Sequence, residues 1–283
     1  MKRKNICAAA AVLLFLLALG LMLYPAAAER YNRCHQSEIR TEYDTAVSAE
    51  KENAVTEMLE DAENYNRMLC AAVPEEGTAV LPDSAVSEYE DQLDIAGNGI
   101  MGYLRIPTIG VELPIYHGTD DRTLEKGVGH LLGSSLPVGG TGTHAVLSGH
   151  SGMAGQKMFT DLENMETVDV FYIDILGETL AYEVKSISVV LPYDTSLLQI
   201  DPQRDLCTLV TCTPYGINTH RLLVQGERIP YDETETAENT VTAAKGSTWE
   251  KQYRKGILLG TVSAAAALGL LWVMRRPRRK KNA

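Results

Sequence analysis

Cysteine is scarce: five residues in 283. So few do not build a disulfide framework in a domain of this size. Cys7 lies inside an apolar stretch. Cys34 and Cys70 flank a helical region and could pair, although nothing in the sequence requires it. Cys207 and Cys212 would point to opposite faces of an unbroken strand, which makes Cys207 a small core residue. Cations are also short, with 26 Lys and Arg against 37 Asp and Glu and a formal net charge of −11. Many of the cations sit at the two ends: Lys2, Arg3 and Lys4 at one, Arg275, Arg276, Arg278, Arg279, Lys280 and Lys281 at the other. The body between is therefore more acidic still, which speaks against nucleic acid or anionic lipid as a partner. No internal repeat is present, so repeat architectures are set aside.

Long apolar runs are present, and there are two. Residues 6–24 and 256–274 are each long enough to span a bilayer as a helix. Both carry their cations on the terminal side, so the positive-inside tendency puts both termini in the cytoplasm and residues 26–255 outside. Two readings fit the first run. Its length favours an uncleaved anchor, while Ala26, Ala27 and Ala28 offer a signal-peptide cleavage site. Export holds in either case.

Between the runs the pattern changes twice. Residues 37–69 are rich in Glu, Ala and Met, with Val55, Met58, Leu59, Ala62, Tyr65 and Leu69 at helical spacing. This predicts a helical stalk or helix pair that packs one face on the body. Residues 71–99 read as loop. From Met101 onward, short strand-like runs are expected at 103–106, 111–116, 144–148, 168–174, 180–190, 206–211 and 221–227, with helical turns at 122–126 and 156–162. Strands this short and dense indicate an all-β barrel or sandwich. Residues 232–247 are acidic and Thr-rich and read as a linker.

The chemistry concentrates at Thr208-Leu209-Val210-Thr211-Cys212. This β-branched run ends on a thiol, Pro214, Gly216 and Asn218 turn the chain, and Arg221 opens the next strand. A thiol at a strand end beside a permanent cation is a nucleophile next to an anion-stabilising group. Of six histidines, only His150 sits in a Ser-Gly-His-Ser-Gly context, where flanking glycines let the chain turn and leave the imidazole exposed beside a strand end. His35, His117, His130, His144 and His220 read as satisfied polar residues, with His117 and His130 placed in turns. Thr211 is open between a positioning and a structural role.

These residues resemble the sortases. Thr208 to Cys212 meet the Thr-Leu-x-Thr-Cys signature, and the run on through Thr213-Pro214-Tyr215-Gly216-Ile217-Asn218-Thr219-His220-Arg221 is similar to the pilin-polymerising class, class C. Leu113-Pro114-Ile115-Tyr116-His117-Gly118-Thr119, Gly127-Val128-Gly129-His130-Leu131 and His144-Ala145-Val146-Leu147-Ser148-Gly149-His150 agree in order. Relatives often carry Thr-Gly-His-Arg-Gly, so Ser148 and Ser151 are departures beside the histidine.

The resemblance implies a mainly β fold: a sortase-type β-barrel with short helices, an N-terminal helical region and a transmembrane helix at each end. The expected division is an anchor or signal-anchor at 1–28, an extracellular helical region and lid loop at 29–100, the catalytic barrel at 101–230, a polar linker at 231–255, the second span at 256–274 and a basic cytoplasmic tail at 275–283. The catalytic residues implied are His150, Cys212 and Arg221. Cys212 would attack the Thr carbonyl of a Leu-Pro-x-Thr-Gly-like sorting signal, Arg221 would stabilise the oxyanion, and His150 would protonate the departing amine. Partners implied are pilin or surface proteins bearing that signal, a pilin lysine or a cell-wall amine as acceptor, and the membrane; no metal or organic cofactor is called for. Class C relatives carry a lid with an Asp-Pro-aromatic plug. Here Leu81-Pro82-Asp83 has the order reversed and no aromatic; Asp83 is the candidate for the family Asp position, and two readings stay open, a lid with altered chemistry or one lost as a plug. No Leu-Pro-x-Thr-Gly precedes the second apolar run, so the chain reads as the enzyme and not its substrate. A housekeeping sortase that attaches proteins to cell-wall peptide, and a non-catalytic pilus-assembly scaffold, are the competing readings.

Overall fold

The computed structural model describes residues 2–71, 88–152, 157–231 and 255–261. By contacts the chain divides into two units, Met1–Met22 with Gly246–Ala283, and Leu23–Lys245. The second unit holds the barrel and the candidate site.

Eight strands close into a barrel: β1 Ile100–Ile106, β2 Val111–His117, β3 Val128–His130, β4 Thr143–Ser148, β5 Val170–Ile175, β6 Glu178–Val190, β7 Asp205–Thr213 and β8 His220–Ile229. Their order around the barrel is β1-β2-β3-β4-β7-β8-β6-β5, with β2–β3 and β4–β7 parallel and the other pairs antiparallel. Alternation fills the interior: Leu104, Ile106, Ile115, Ala145, Leu147, Phe171, Ile173, Cys207, Leu209 and Val224 are buried in one core. Cys207 is thus a core thiol, and burial pushes its pKa well up.

The helical region is a pair. α1 Lys2–Ala49 and α2 Glu52–Ala71 break at Glu50 and Lys51. On α2, Ala62, Tyr65, Asn66 and Leu69 form the buried stripe. Burying Leu69 stabilises the fold by about 2 kcal/mol. Asn66 adds two hydrogen bonds to the backbone of one residue of the body, donating to the Leu136 carbonyl at 3.0 Å and accepting from the Leu136 amide at 2.7 Å. On α1, buried Tyr43 donates to the Met101 carbonyl and accepts from the Leu176 amide. Arg40 reaches Glu112 at 2.7 Å and Asp174 at 2.9 Å, and Asp174 also holds Arg105. A short α3, Asp121–Lys126, is capped by the Asp120 side chain.

The expected transmembrane helix at each end is corrected. Among the described residues no helix is long and apolar enough to cross a membrane. The run 6–24 does not form an element of its own. It is taken up in α1, which continues unbroken into the polar sequence that carries Arg40 and Asp44. At the other end residues 255–261 are described, in helix. The rest of the expected second span, residues 232–254 of the expected 231–255 linker and the basic tail lie outside the described residues, as does Asp83.

Candidate active site

β7 sits between β4 and β8, and the three expected functional residues lie at the same end of these strands. Cys212 pairs directly with Arg221 in the antiparallel β7–β8 ladder. Directly opposed residues share a face, with Cβ atoms about 5 Å apart. On the other side, β4 runs parallel to β7 with Ser148 beside Val210. The pairing carries on past the strand end, where the Gly149 amide donates to the Val210 carbonyl at 3.0 Å. Two residues further along both chains, His150 is level with Cys212. Adjacent strands lie about 4.8 Å apart, so the register sets residues 150, 212 and 221 in a row across three neighbouring chain segments.

Alternation puts that row outside the barrel. Leu209 and Thr211 point inward and are buried, whereas Val210 and Cys212 face outward and are partly exposed. His150 and Arg221 are also partly exposed. Arg221 uses Nη1 to donate to the Asn218 and His220 carbonyls, at 3.3 and 3.1 Å. Its hydrogen bonds among the described residues go to backbone oxygens, so its full charge is available to an anion.

Three contacts fix the His150 turn. The Thr211 hydroxyl donates to the Gly149 carbonyl at 2.7 Å, and the His150 carbonyl accepts from the Phe159 amide at 3.0 Å. A Cβ on Gly149 would come within 2.7 Å of the Phe159 ring, so only glycine lets that ring close under the turn. Gly152 follows with φ +83, packed against the Tyr215 ring from the β7–β8 connection. That connection folds on itself, with the amides of Ile217 and Asn218 both donating to the Pro214 carbonyl.

Below the row, the same outer face carries His144 on β4, Thr208 on β7 and Gln225 on β8. His144 Nδ1 contacts the Gln199 carbonyl at 2.8 Å. A carbonyl only accepts, so Nδ1 carries the proton and Nε2 accepts from the Thr208 hydroxyl at 2.7 Å. His130 ends β3 and is fully buried, with Nε2 donating to the Ser135 carbonyl at 2.8 Å and Nδ1 beside the Tyr89 hydroxyl at 2.8 Å. Burial pulls the His130 pKa down to about 4 and also lowers that of His144. The expectation of turns at His117 and His130 is corrected: each closes a strand, β2 and β3. His117 bonds the Gln92 carbonyl, His220 bonds Thr219, and exposed His35 lies on α1. His150 alone comes level with Cys212.

The Thr211 link and the His144 contacts were not read from the sequence. A period-two signal was present for His144, since it lies six residues before His150 and so shares its face.

A Sortase domain family profile matches residues 104–229. Sortase C1 of Streptococcus agalactiae is 42% identical, with a TM-score of 0.64 over 68% of this chain and 98% of that one. Sortase C of Streptococcus pneumoniae, in a structure described as bearing on pilin substrate specificity, is 40% identical, with a TM-score of 0.61 over 69% of this chain and 97% of that one. Among curated proteins, sortase D of Bacillus subtilis is 33% identical over 131 residues, 45% of this chain and 63% of that protein. The chain thus matches less than two thirds of the curated relatives' length. The barrel, its strand order and near-complete coverage of the class C structures lead to one assignment: the chain belongs to the sortase family of cysteine transpeptidases, in its class C.

Proposed function

We propose that the chain cuts a Leu-Pro-x-Thr-Gly-like sorting signal between Thr and Gly and joins the Thr carboxyl to a lysine amine of a pilin subunit. The observation that carries this reading is the direct β7–β8 pairing of Cys212 with Arg221, with His150 level with them just past the end of β4. Sulfur of the Cys212 thiolate attacks the Thr carbonyl carbon and forms the C–S bond. Arg221, on the same face, donates to the oxygen as it becomes an anion. His150 gives its proton to the departing glycine nitrogen as the C–N bond breaks. A thioester to Cys212 remains. The lysine amine then attacks that thioester and passes its proton to His150, and the thiolate leaves as the isopeptide bond closes. A partly exposed row on an outer face suits two large protein substrates in turn, which a closed interior would not admit. Sortases are generally membrane-associated, and we place the catalytic unit on the outer side of the membrane, where its protein substrates are displayed.

The test offers the full-length chain a donor peptide ending in Leu-Pro-x-Thr-Gly together with competing acceptors: a lysine-bearing pilin peptide, a cell-wall peptide amine and water. Tandem mass spectrometry of the products should find the Thr–lysine isopeptide as the main one. A dominant cell-wall conjugate would replace the pilin assignment with a housekeeping role, and no turnover by a folded protein would favour a scaffold.

A further inference from the structure

We propose that Lys157 and Asp161 are positioning residues for His150: their ion pair braces the short turn that holds the His150 backbone level with Cys212. This rests on the catalytic role proposed for His150. Both residues lie in the connection between β4 and β5, and neither takes part in the bond-making steps. Lys157 Nζ stands 3.3 Å from Asp161 Oδ2. Asp161 is 2% exposed, a carboxylate almost wholly out of water. Its Oδ1 accepts from Asn164 Nδ2 at 3.4 Å, while Oδ2 has no hydrogen bond among the described residues and faces the Lys157 charge. Lys157 Nζ also donates to the Ile109 carbonyl, in the turn between β1 and β2. The pair therefore pins the 157–161 turn to a second part of the barrel.

What the pair encloses is the hold on His150. Phe159 and Thr160 lie between the two charges. The Phe159 amide donates to the His150 carbonyl at 3.0 Å, and the Thr160 hydroxyl oxygen accepts from the Gly152 amide at 3.1 Å. One bond grips His150 itself, and the other grips the chain two residues on. Met158, also between the charges, has φ +41, in the left-handed region that a side chain disfavours. Such a turn persists only where its surroundings hold it, and a brace across its ends does so. A buried ion pair returns little net stability, because desolvation offsets the attraction. What the charges add here is a fixed direction and spacing. That matters at a proton donor, since a displacement of about 1 Å can cost about a hundredfold in rate.

The test uses the full-length chain as wild type, as Asp161→Asn and as the double variant Lys157→Met with Asp161→Leu, with thermal melts to establish folding. The double variant leaves no unpaired charge inside, so it should fold even where Asp161→Asn does not. With a Leu-Pro-x-Thr-Gly donor peptide, each folded variant should lower kcat about tenfold with KM within about twofold. Hydrogen exchange at single amides is the second reading. The Phe159 amide should exchange about fivefold faster or more, while the Gly149 amide, held by the Val210 carbonyl on the β7 side, stays within about twofold. Unchanged kcat, a rise in KM alone, unchanged Phe159 exchange, an equal rise at Gly149, or failure of both variants to fold would overturn the proposal. Exchange needs no substrate, so it reports on the brace whether or not the peptide is turned over. Wild-type enzyme that fails to process the peptide while the variants' Phe159 exchange responds as stated would support the brace and count against the transpeptidase reading.

Discussion

Thr211 ties the strand of the thiol to the turn of the imidazole: its hydroxyl donates to the Gly149 carbonyl across 2.7 Å, one residue before Cys212 at one end and one before His150 at the other. Thr211 is 4% exposed, so its bond competes little with water. Thr211→Val keeps shape and removes the donor. It should lower kcat/KM for a sorting-signal peptide about tenfold, while Thr211→Ser keeps most of the activity. Steady-state kinetics on both variants decide it, and equal loss in both would assign the effect to packing.

Arg221 stands directly across the ladder from Cys212, and its reach is fixed by two backbone carbonyls. Lysine offers charge without the planar fork, so Arg221→Lys should lower kcat about a hundredfold with a smaller change in KM. Full activity in Arg221→Lys would remove Arg221 from the oxyanion.

Gly149→Ala places a methyl within 2.7 Å of the Phe159 ring. Overpacking there should cost about 1–3 kcal/mol and move the His150 turn, so activity falls at temperatures where the variant is still folded. A melt and an activity assay at 25 °C separate the two effects.

His130 predicts how stability follows pH. Burial lowers its pKa from 6.5 to about 4, so the neutral ring is the folded form. Between those values the unfolded chain binds a proton that the folded chain excludes. Stability from this group is therefore fully present above 6.5 and is lost as pH falls towards 4. His144 shifts in the same direction, lowered chiefly by burial. Chemical denaturation at pH 7 and pH 5 should give a lower stability at pH 5. His130→Gln should flatten that slope, and an unaltered slope would refute the assignment.

Asp174 anchors both Arg40 of α1 and Arg105 of β1. Burial works to raise its pKa, but the hydrogen bonds and charge of Arg105, with Thr179 and Arg40, outweigh it and hold it below the usual carboxylate range. Its contribution is present above pH 3.8 and is lost as pH falls through the lower folded value. Asp174→Asn should cost about 2 kcal/mol at pH 7 and loosen α1 from the barrel, read by denaturation and by hydrogen exchange in α1.

How much of this was legible in the sequence depended on periodicity. β7 announced itself through a β-branched run ending on Cys212, and α2 through Ala62, Tyr65 and Leu69 at helical spacing. β3 gave no such signal, because three residues with glycine at 127 and 129 have no period to detect. The β4–β7 pairing, which brings His150 level with Cys212, joins residues 62 apart and follows only from barrel closure. Asn66 reads as one more polar residue on a helix until Leu136 is folded against it. The apolar run at 6–24 misled for a related reason: its length is local, but the helix that contains it does not end where the run ends.

The central claim is that Cys212 acylates while His150 and Arg221 serve the same row. Its most direct measurement is the intact mass of the full-length chain after brief incubation with a Leu-Pro-x-Thr-Gly peptide, as wild type and as Cys212→Ala. The account predicts a wild-type adduct equal to the peptide's acyl part up to Thr, absent from Cys212→Ala. An adduct that persists in Cys212→Ala, or none from folded wild type across a panel of sorting-signal peptides, would contradict it.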